Sequence, residues 1–380
     1  QLGTQIDEFD DFIDDHNTKT YSYRTPKLTS LVAPYDYVRK MRASYYVLGP
    51  LLARERHIEL SLPGGCAIGA RPMDIHLSAL EQMGAKIEIK NGYVFADAED
   101  GLKGAHIIFR IASVGATCNI LMAAVLAQGT TKIENAAKEP EIGDLIDLLN
   151  SMGAKISGKD TSILTIEGVK KLHGARHKVI ADRIEAGSYA VAAAITRGRI
   201  ELINASASTL QTPLTILKNM GVKVEEKEKS IIIDARNCKL TGQDIMTDYY
   251  PGFPTDMQPQ IAVLLSVAKG TSILSESVWD NRFQYVGQLL RMGANIQVDG
   301  KIAVIEGVES LAGVNVKATD LRAGAAMVIA GLVAKGETTV EDIQYIDRGY
   351  EDICEKFSSL GADIKRVVLN DDDNSAANAG

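Results

Sequence analysis

The sequence has few of the features that indicate a disulfide-rich, metal-binding or nucleic-acid-binding protein. Its four cysteines are scattered, without C-x-x-C pairs or metal-ligand spacing, so we expect reduced thiols and no metal site. Lys and Arg number 41 against 49 Asp and Glu, a net charge of −8, so no general basic field recruits nucleic acid. No apolar run reaches the length of a membrane span, and the first residues do not form a signal peptide. We therefore expect a cytoplasmic protein with neither nucleic-acid nor membrane partners.

What the chain does contain is a recurring helix end, in which an apolar residue is followed by Gly, a small residue, a polar residue and a β-branched residue. Its six glycines are Gly3, Gly84, Gly153, Gly221, Gly293 and Gly361. From the second copy on they lie 69, 68, 72 and 68 residues apart. Gly at this position allows a helix to end in the left-handed conformation before a strand begins. The spacing predicts a repeated structural unit.

Each unit has roughly the order βββαβα. After Gly153 the pattern predicts strands 155–157, 163–167 and 178–180, a helix over 182–196, a strand over 199–203 and a second helix. The first helix of each unit is apolar nearly all round and should be buried, whereas the second is amphipathic and should form an outer layer. The length exceeds that of one hydrophobic core, so we expect domains over 1–180 and 181–370 and a disordered tail over 371–380. The acidic segment 7–26 is expected to be irregular.

Each buried helix begins at a polar or charged residue. These starts are Arg42, Ser113, Asp182, Thr255-Asp256 and Asp320-Leu-Arg322. Ordinary capping explains any one of them. If the repeats surround a pseudo-threefold axis, however, these helix starts converge, and their amide groups and dipoles favour an anion.

The stretch from Leu62 to His76 combines several glycines with a thiol, a cation, a carboxylate and an imidazole. It is typical of a mobile loop that closes over an anionic substrate. Arg71 supplies a planar donor fork, and its positive field favours the thiolate of Cys66. A small buried cysteine beside a surface turn is the alternative interpretation.

From about residue 33 to 368 the chain resembles the bacterial UDP-N-acetylglucosamine enolpyruvyl transferase family. The motifs that carry the resemblance are Leu62-Pro-Gly-Gly-Cys66 through His76, Ser113-Val-Gly-Ala-Thr, Glu139-Pro-Glu141, Phe253-Pro-Thr-Asp256, Asn281-Arg282-Phe, Ala318-Thr-Asp320-Leu-Arg322 and Ile346-Asp347-Arg348-Gly-Tyr. The resemblance implies an α/β fold of two inside-out domains. Each domain would be a pseudo-threefold arrangement of βαβαββ units, with the active site in the cleft between the two domains.

The resemblance also implies an activity that needs no cofactor. The enolpyruvyl group of phosphoenolpyruvate would pass to the sugar 3-hydroxyl of UDP-N-acetylglucosamine with release of phosphate, the first committed step of peptidoglycan synthesis. Cys66 would be the proton donor and the target of fosfomycin, Asp256 would receive the hydroxyl proton, and Arg348 would bind anionic groups with Arg71 and Arg322. The implied UDP-sugar contacts are Arg42, Arg71, Pro72, Met73, Asp74, Ile75, Ser113, Val114, Gly115 and Val278.

The chain departs from the family pattern at two points. Gly3 ends a second helix, so about 45 residues of the first unit are expected upstream of it, and they would carry the family's Lys-Asn pair that contacts phosphoenolpyruvate. Ile111 stands where some members have Lys. A truncated, non-catalytic protein that binds UDP-N-acetylglucosamine therefore stays an alternative. A transferase acting on shikimate phosphate is another, although it would lack the cysteine loop. The sequence does not indicate the oligomeric state.

Overall fold

The polypeptide forms two compact units, one ending at Ile180 and the other beginning at Ala181. The computed structural model describes residues 2–13, 16–39, 41–62 and 73–368, excluding the side chains of residues 11–13, 16–18 and 42. Each unit has its own hydrophobic core, formed by residues between Val38 and Ile166 in the first and between Ile184 and Phe357 in the second. The predicted tail over 371–380 lies outside the described residues.

The secondary structure alternates short strands with helices throughout both units. The strands are β1 (Gln5–Ile13), β2 (His16–Arg24), β3 (Val32–Ala33), β4 (His57–Ser61), β5 (Lys86–Lys90), β6 (Tyr93–Asp97), β7 (His106–Ile108), β8 (Thr130–Glu134), β9 (Lys155–Ser157), β10 (Ile163–Glu167), β11 (Arg199–Ile203), β12 (Lys223–Glu226), β13 (Ser230–Asp234), β14 (Ile245–Met246), β15 (Thr271–Ser275), β16 (Asn295–Asp299), β17 (Ile302–Glu306), β18 (Asn315–Lys317) and β19 (Thr339–Glu341). The helices are α1 (Tyr35–Val38), α2 (Leu48–Glu55), α3 (Asp74–Gln82), α4 (Val114–Ala124), α5 (Pro140–Ser151), α6 (Arg183–Ile195), α7 (Gln211–Asn219), α8 (Gln258–Leu265), α9 (Val286–Arg291), α10 (Leu321–Gly331) and α11 (Ile353–Ser359). Short 3₁₀ helices span Arg42–Val47, Ala207–Thr209, Thr255–Met257, Phe283–Tyr285 and Ile343–Tyr345.

The sheets repeat one topology. Three four-stranded sheets have the orders β3-β4-β6-β5, β7-β8-β10-β9 and β14-β15-β17-β16. In each, the first two strands are parallel and the remaining neighbours are antiparallel. The sheets β11-β13-β12 and β18-β19 contain parts of the same order. The predicted repeat is therefore visible in the strand pairing.

The repeated helix ends have the predicted backbone geometry. All six glycines of the motif have positive φ, between 82° for Gly3 and 100° for Gly221, which is the left-handed region that side chains disfavour. The helices predicted to be apolar all round, α4, α6, α8 and α10, are largely buried. In the second unit α6, α8 and α10 pack against one another. The starts of α8 and α10 lie close together, and the candidate residues Asp256 and Arg322 lie there.

Two local predictions were wrong. Residues 178–180 form no strand, and Val179 is 73% exposed, so this short segment gains little burial to stabilise it. The acidic segment 7–26 is not irregular, because β1 and β2 pair antiparallel from Gln5–Arg24 to Ile13–His16. Its charges do not prevent pairing, since Glu8 and Lys19 form an ion pair at 3.0 Å on the exposed hairpin.

Candidate active site

In the first unit, the start of α4 carries three of the predicted sugar-nucleotide contacts. Ser113 is the N-cap residue, and its side chain accepts a hydrogen bond from the N–H of Ala116 at 3.3 Å. Val114 and Gly115 follow in the first turn. A Cβ atom at Gly115 would lie 2.9 Å from Tyr45 Oη and 3.0 Å from His76 Cε1. Glycine is therefore required here to let three segments approach closely.

A buried asparagine organises the surroundings of Gly115. Asn119 accepts a hydrogen bond from the N–H of Gly49 at 2.9 Å, and its Nδ2 donates to Tyr45 O at 3.2 Å and to His76 Nδ1 at 3.0 Å. Because a backbone N–H can only donate, the Asn119 oxygen must face Gly49 and its nitrogen must face His76. Nδ1 of His76 is then an acceptor, and the neutral ring carries its proton on Nε2.

The pKa of His76 agrees with this tautomer. Burial lowers it to about 4, against an opposing effect of Asp74 that raises it. The ring also packs edge-on against Tyr45, with the ring centroids 5.3 Å apart. His76 is therefore a neutral, fixed hydrogen-bond donor beside the start of α4.

Three further predicted contacts lie at the start of α3. Asp74 is its first residue and is exposed, whereas Met73 and Ile75 are buried. The Asp74 carboxylate accepts a hydrogen bond from Arg110 at 2.6 Å. Both side chains are more than half exposed, so this pair contributes little to stability. Since α3 packs on α4, the structure brings Met73–Ile75 and Ser113–Gly115 together around His76.

Other predicted residues of the first unit are not covered in full. Cys66, Arg71 and Pro72 lie outside the described residues. Arg42 begins the 3₁₀ helix that precedes α2, but its side chain is outside the description.

In the second unit, two aspartates cap the buried helices and a third does not. Asp182 accepts hydrogen bonds from the N–H groups of Ile184 and Glu185 at the start of α6, and Asp320 does the same for Arg322 and Ala323 at the start of α10. Asp256 lies in the 3₁₀ helix before α8, and neither of these two helix starts has a side-chain cap. Capping therefore does not account for Asp256.

Asp256 instead faces two arginines. Arg322 donates to its carboxylate from both Nε and Nη2 at 3.3 Å, and the Nη2 of Arg282 lies 3.7 Å away. Arg282 also lies 3.7 Å from Asp320, and its side chain is only 2% exposed. This arrangement joins the starts of α8 and α10 in one ionic network.

Arg322 is held in place by more than Asp256. Its guanidinium lies 5.6 Å from the ring centroid of Tyr350. Burial acts to lower the pKa of Arg322, but the negative charge of Asp256, with Tyr350 and Asp182, raises it above its ordinary value. The Tyr350 hydroxyl lies 2.8 Å from Ser188 Oγ and accepts a hydrogen bond from Gln260 at 3.2 Å, in the interior. Arg322 is therefore a permanently charged group with a fixed position.

The remaining two predicted residues lie near this network. Arg348 is exposed and lies two residues before Tyr350 in the same turn. Val278 follows β15, and its N–H donates to the buried carboxylate of Glu276 at 2.9 Å. The sequence reasoning did not assign roles to Arg282, Glu276, Asn119 or Arg110. Arg282 stood in the Asn281-Arg282-Phe motif, but no local pattern marked the other three.

The described residues also bear on other classes of function. None of the described helices combines the length and hydropathy that a membrane span requires. Among the residues that the structure describes, no group of three or more His, Cys, Asp or Glu side chains is arranged to hold a metal ion.

Comparison with solved structures defines the fold. The chain superposes on the enolpyruvyl transferase NikO from Streptomyces tendae with a TM-score of 0.82 at 22% identity, covering 96% of this chain and 86% of that one. It superposes on EPSP synthase from Acinetobacter baumannii with a TM-score of 0.70 at 21% identity, covering 95% and 85%. At these identities the likeness concerns the fold, which is the enolpyruvyl transferase fold implied by the motifs.

Sequence comparison identifies the branch. The family model described as EPSP synthase (3-phosphoshikimate 1-carboxyvinyltransferase) matches residues 5–357. The UDP-N-acetylglucosamine 1-carboxyvinyltransferase of Paramagnetospirillum magneticum is 52% identical over 93% of this chain and 82% of its own length. That of Granulibacter bethesdensis is 54% identical over 90% and 81%. The chain therefore belongs to the enolpyruvyl transferases, and within them to the UDP-N-acetylglucosamine 1-carboxyvinyltransferase family, which confirms the predicted resemblance.

Proposed function

We propose that this protein transfers the enolpyruvyl group of phosphoenolpyruvate to the 3-hydroxyl of UDP-N-acetylglucosamine and releases phosphate. The observation that carries the proposal is the pairing of Asp256 with Arg322, at the starts of two buried helices, in a chain about half identical to enzymes of that name. A carboxylate and a fixed cation are the groups that hydroxyl deprotonation and binding of an anionic substrate require.

In the proposed reaction the sugar oxygen bonds to C2 of phosphoenolpyruvate while C3 gains a proton. The hydroxyl proton passes to Asp256, and Cys66 supplies the proton to C3. Loss of one C3 proton back to Cys66 then restores the double bond as the C2–O bond to phosphate breaks. The proton held by Asp256 leaves with phosphate or solvent, so protons and charge balance.

Arg322, Arg348 and Arg71 are proposed to bind the phosphate and carboxylate groups. A guanidinium offers several donors in one plane, which matches these trigonal and tetrahedral anions better than a single ammonium group. Arg322 is suited to this role because it is mostly buried and is held in position by Asp256 and Tyr350. The Asp256 carboxylate accepts hydrogen bonds from Nε and Nη2 of Arg322, so a bound anion would compete for these two donors.

The start of α4 is proposed to contact UDP-N-acetylglucosamine through Ser113, Val114 and Gly115. The N–H groups of a first helical turn favour an anionic group such as the diphosphate. Gly115 keeps this surface open, and the fixed Nε2–H of His76 lies beside it. Arg42, Met73–Ile75 and Val278 are proposed as further contacts of the same ligand.

The first test replaces the carboxylate of Asp256 by an amide. Asp256→Asn keeps the shape but removes the base, so phosphate release should fall by about a hundredfold or more while the fold is retained. The matched control is Asp299→Asn, which changes an exposed aspartate in β16 and should keep full turnover. Equal turnover of the Asp256→Asn variant and the unaltered protein would exclude the base role.

The acceptor distinguishes the two branches of the fold. Phosphate release from phosphoenolpyruvate should depend on added UDP-N-acetylglucosamine and not on shikimate 3-phosphate. Shikimate 3-phosphate is the alternative acceptor to test, because the family model that matches this chain is described as a 3-phosphoshikimate 1-carboxyvinyltransferase. Dependence on shikimate 3-phosphate alone would replace the proposed substrate.

A second test concerns the thiol of Cys66. Burial, with Glu139 and Glu141, raises the pKa of Cys118 to about 12, and burial raises the pKa of Cys354, so both are poor nucleophiles near pH 7. Peptide mapping after fosfomycin treatment should find the modification at Cys66. Cys66→Asp should keep an acidic group and resist modification. Labelling confined to Cys118, Cys238 or Cys354 would contradict the assignment of the loop.

A further inference from the structure

A buried carboxylate, Glu276, connects two residues to which the proposed function gives different tasks. It follows β15 and is 3% exposed. Its Oε1 accepts hydrogen bonds from the N–H groups of Val278 at 2.9 Å and Trp279 at 3.0 Å. Its Oε2 accepts a hydrogen bond from the hydroxyl of Thr255 at 3.0 Å. One side chain thus holds the turn that carries Val278 and the residue directly before Asp256.

Thr255 is held from two sides. Glu276 binds its hydroxyl, and Arg282 donates from Nε to its carbonyl oxygen at 3.2 Å. The carbonyl of Thr255 belongs to the peptide group that leads into Asp256, so these contacts fix the backbone from which the Asp256 carboxylate projects. A displacement of about 1 Å at such a point is enough to reduce turnover by about a hundredfold.

The turn after β15 depends on the same carboxylate. The N–H groups of Val278 and Trp279 both donate to Oε1 of Glu276, so loss of Glu276 leaves two backbone donors without this acceptor. Ser277, which lies between Glu276 and Val278, is anchored separately, because its N–H donates to Thr247 Oγ1 at 3.0 Å. Glu276 therefore links Val278 directly to Thr255, and Ser277 gives the same segment a second anchor at Thr247.

We infer that Glu276 is a positioning residue that couples the sugar-nucleotide contact at Val278 to the carboxylate of Asp256 through Thr255. The inference rests on the proposed function, which gives Val278 and Asp256 their tasks. Substrate held at the Val278 turn would, by this connection, be held at a fixed distance from the carboxylate that receives its hydroxyl proton.

The experiment separates the two halves of the connection. Thr255→Val removes the hydroxyl but leaves the Val278 turn intact, so kcat should fall about 10- to 100-fold while KM for UDP-N-acetylglucosamine changes less than about twofold. Thr255→Ser keeps the hydroxyl and should restore kcat. Glu276→Leu breaks both halves, so kcat should fall and calorimetry should show at least about tenfold weaker binding of UDP-N-acetylglucosamine. Glu276→Gln can accept both N–H groups and donate to Thr255, so it should recover most of both constants.

The Thr255 pair keeps the test decisive even if Glu276→Leu does not fold. Unchanged kcat in Thr255→Val, or equal losses in kcat and affinity there, would overturn the coupling. Failure of Thr255→Ser to restore kcat would also overturn it. If the unaltered protein neither binds nor turns over UDP-N-acetylglucosamine, the proposed function fails and the inference fails with it. That result is distinguished from the others by the unaltered protein alone.

Discussion

The starts of the buried helices are built differently in the two units. Around α4, neutral groups meet, namely an amide, an imidazole with its proton on Nε2, a phenol and a glycine without a side chain. At the starts of α8 and α10, charged groups meet in an ionic network of Asp256, Arg282, Asp320 and Arg322. Both places occupy the same position in the repeat.

The difference shows that a repeated scaffold leaves its helix starts open to different chemistry. A neutral network defines a shape and a few fixed donors without creating a strong field, which suits a large ligand that must be held in register. An ionic network fixes charges in advance of the reaction, which suits proton transfer and the binding of small anions. Each of the following experiments alters one of these networks and leaves the other intact.

The largest expected effect comes from weakening the ionic network at Arg322. Arg322→Lys keeps one positive charge but loses the two-donor contact with Asp256 and the contact of the guanidinium with the Tyr350 ring. Steady-state kinetics should show kcat/KM for phosphoenolpyruvate reduced by about 10² to 10³. Arg236→Lys is the matched control, since Arg236 also binds one aspartate, Asp234, through two donors but is exposed in the turn after β13. Similar losses in both variants would mean that Arg322 acts only through general stability.

The next effect is a pH dependence of the neutral network. His76 has a folded pKa of about 4 against an ordinary value of 6.5, so the unfolded chain binds the proton first as the pH falls. The free energy of unfolding should therefore fall from pH 6.5 towards pH 4, by on the order of 3 kcal/mol for this group alone. Urea denaturation at several pH values should show that the free energy of unfolding depends less steeply on pH in His76→Gln than in the unaltered protein.

A control separates this effect from other titrating groups. His106→Gln removes an imidazole from an exposed position in β7 and should leave the contribution of His76 in place. If the free energy of unfolding depends equally on pH in the unaltered protein and in His76→Gln, His76 does not stay neutral in the folded state.

The smallest effect is steric. Gly115→Ala would normally stabilise a helix, but the new methyl group would meet Tyr45 and His76 at about 3 Å. Thermal unfolding should show a net loss of about 1–3 kcal/mol, with weaker binding of UDP-N-acetylglucosamine. The double variant with Tyr45→Phe removes the nearest atom and should recover part of the loss.

Gly287 supplies the comparison within a helix. It lies in α9 with nothing within 4 Å of an added Cβ, so Gly287→Ala should raise the stability by up to about 1 kcal/mol. A gain of the same size at Gly115 would show that the close approach around His76 is not needed.

Much of the fold could be predicted from the sequence because its signals are local. Strands 163–167 and 199–203 were predicted with the bounds that the structure has, since alternation and flanking turn residues define them. The repeated Gly turns could be predicted because each requires only that its glycine adopt a positive φ. The hairpin β1–β2 was missed because its two strands contain many charges and no strong alternation, and pairing between them decided the structure.

The candidate site could be predicted only in part, since its residues are joined over long sequence distances. Asn119 binds Gly49, 70 residues away, and Arg322 binds Asp256, 66 residues away. Such pairs depend on how helices pack, which a local pattern does not determine. Glu276 gave no signal at all, because a carboxylate near a strand end is ordinarily a solvated residue.

The spacing of the Gly turns has a consequence for how such a protein can diverge. From the turn glycine to the first residue of the next buried helix there are 30 residues after Gly84 (114 − 84) and Gly153 (183 − 153), and 28 after Gly293 (321 − 293). After Gly221 there are 37, counted to Gln258 (258 − 221), and they include the 3₁₀ helix Thr255–Met257 that carries Asp256. The extra length falls outside the helix–glycine–strand turn. Insertions can therefore lengthen the segment before one buried helix while the glycine turns and the core helices are retained. A duplicated unit can in this way acquire a new reactive group without being refolded.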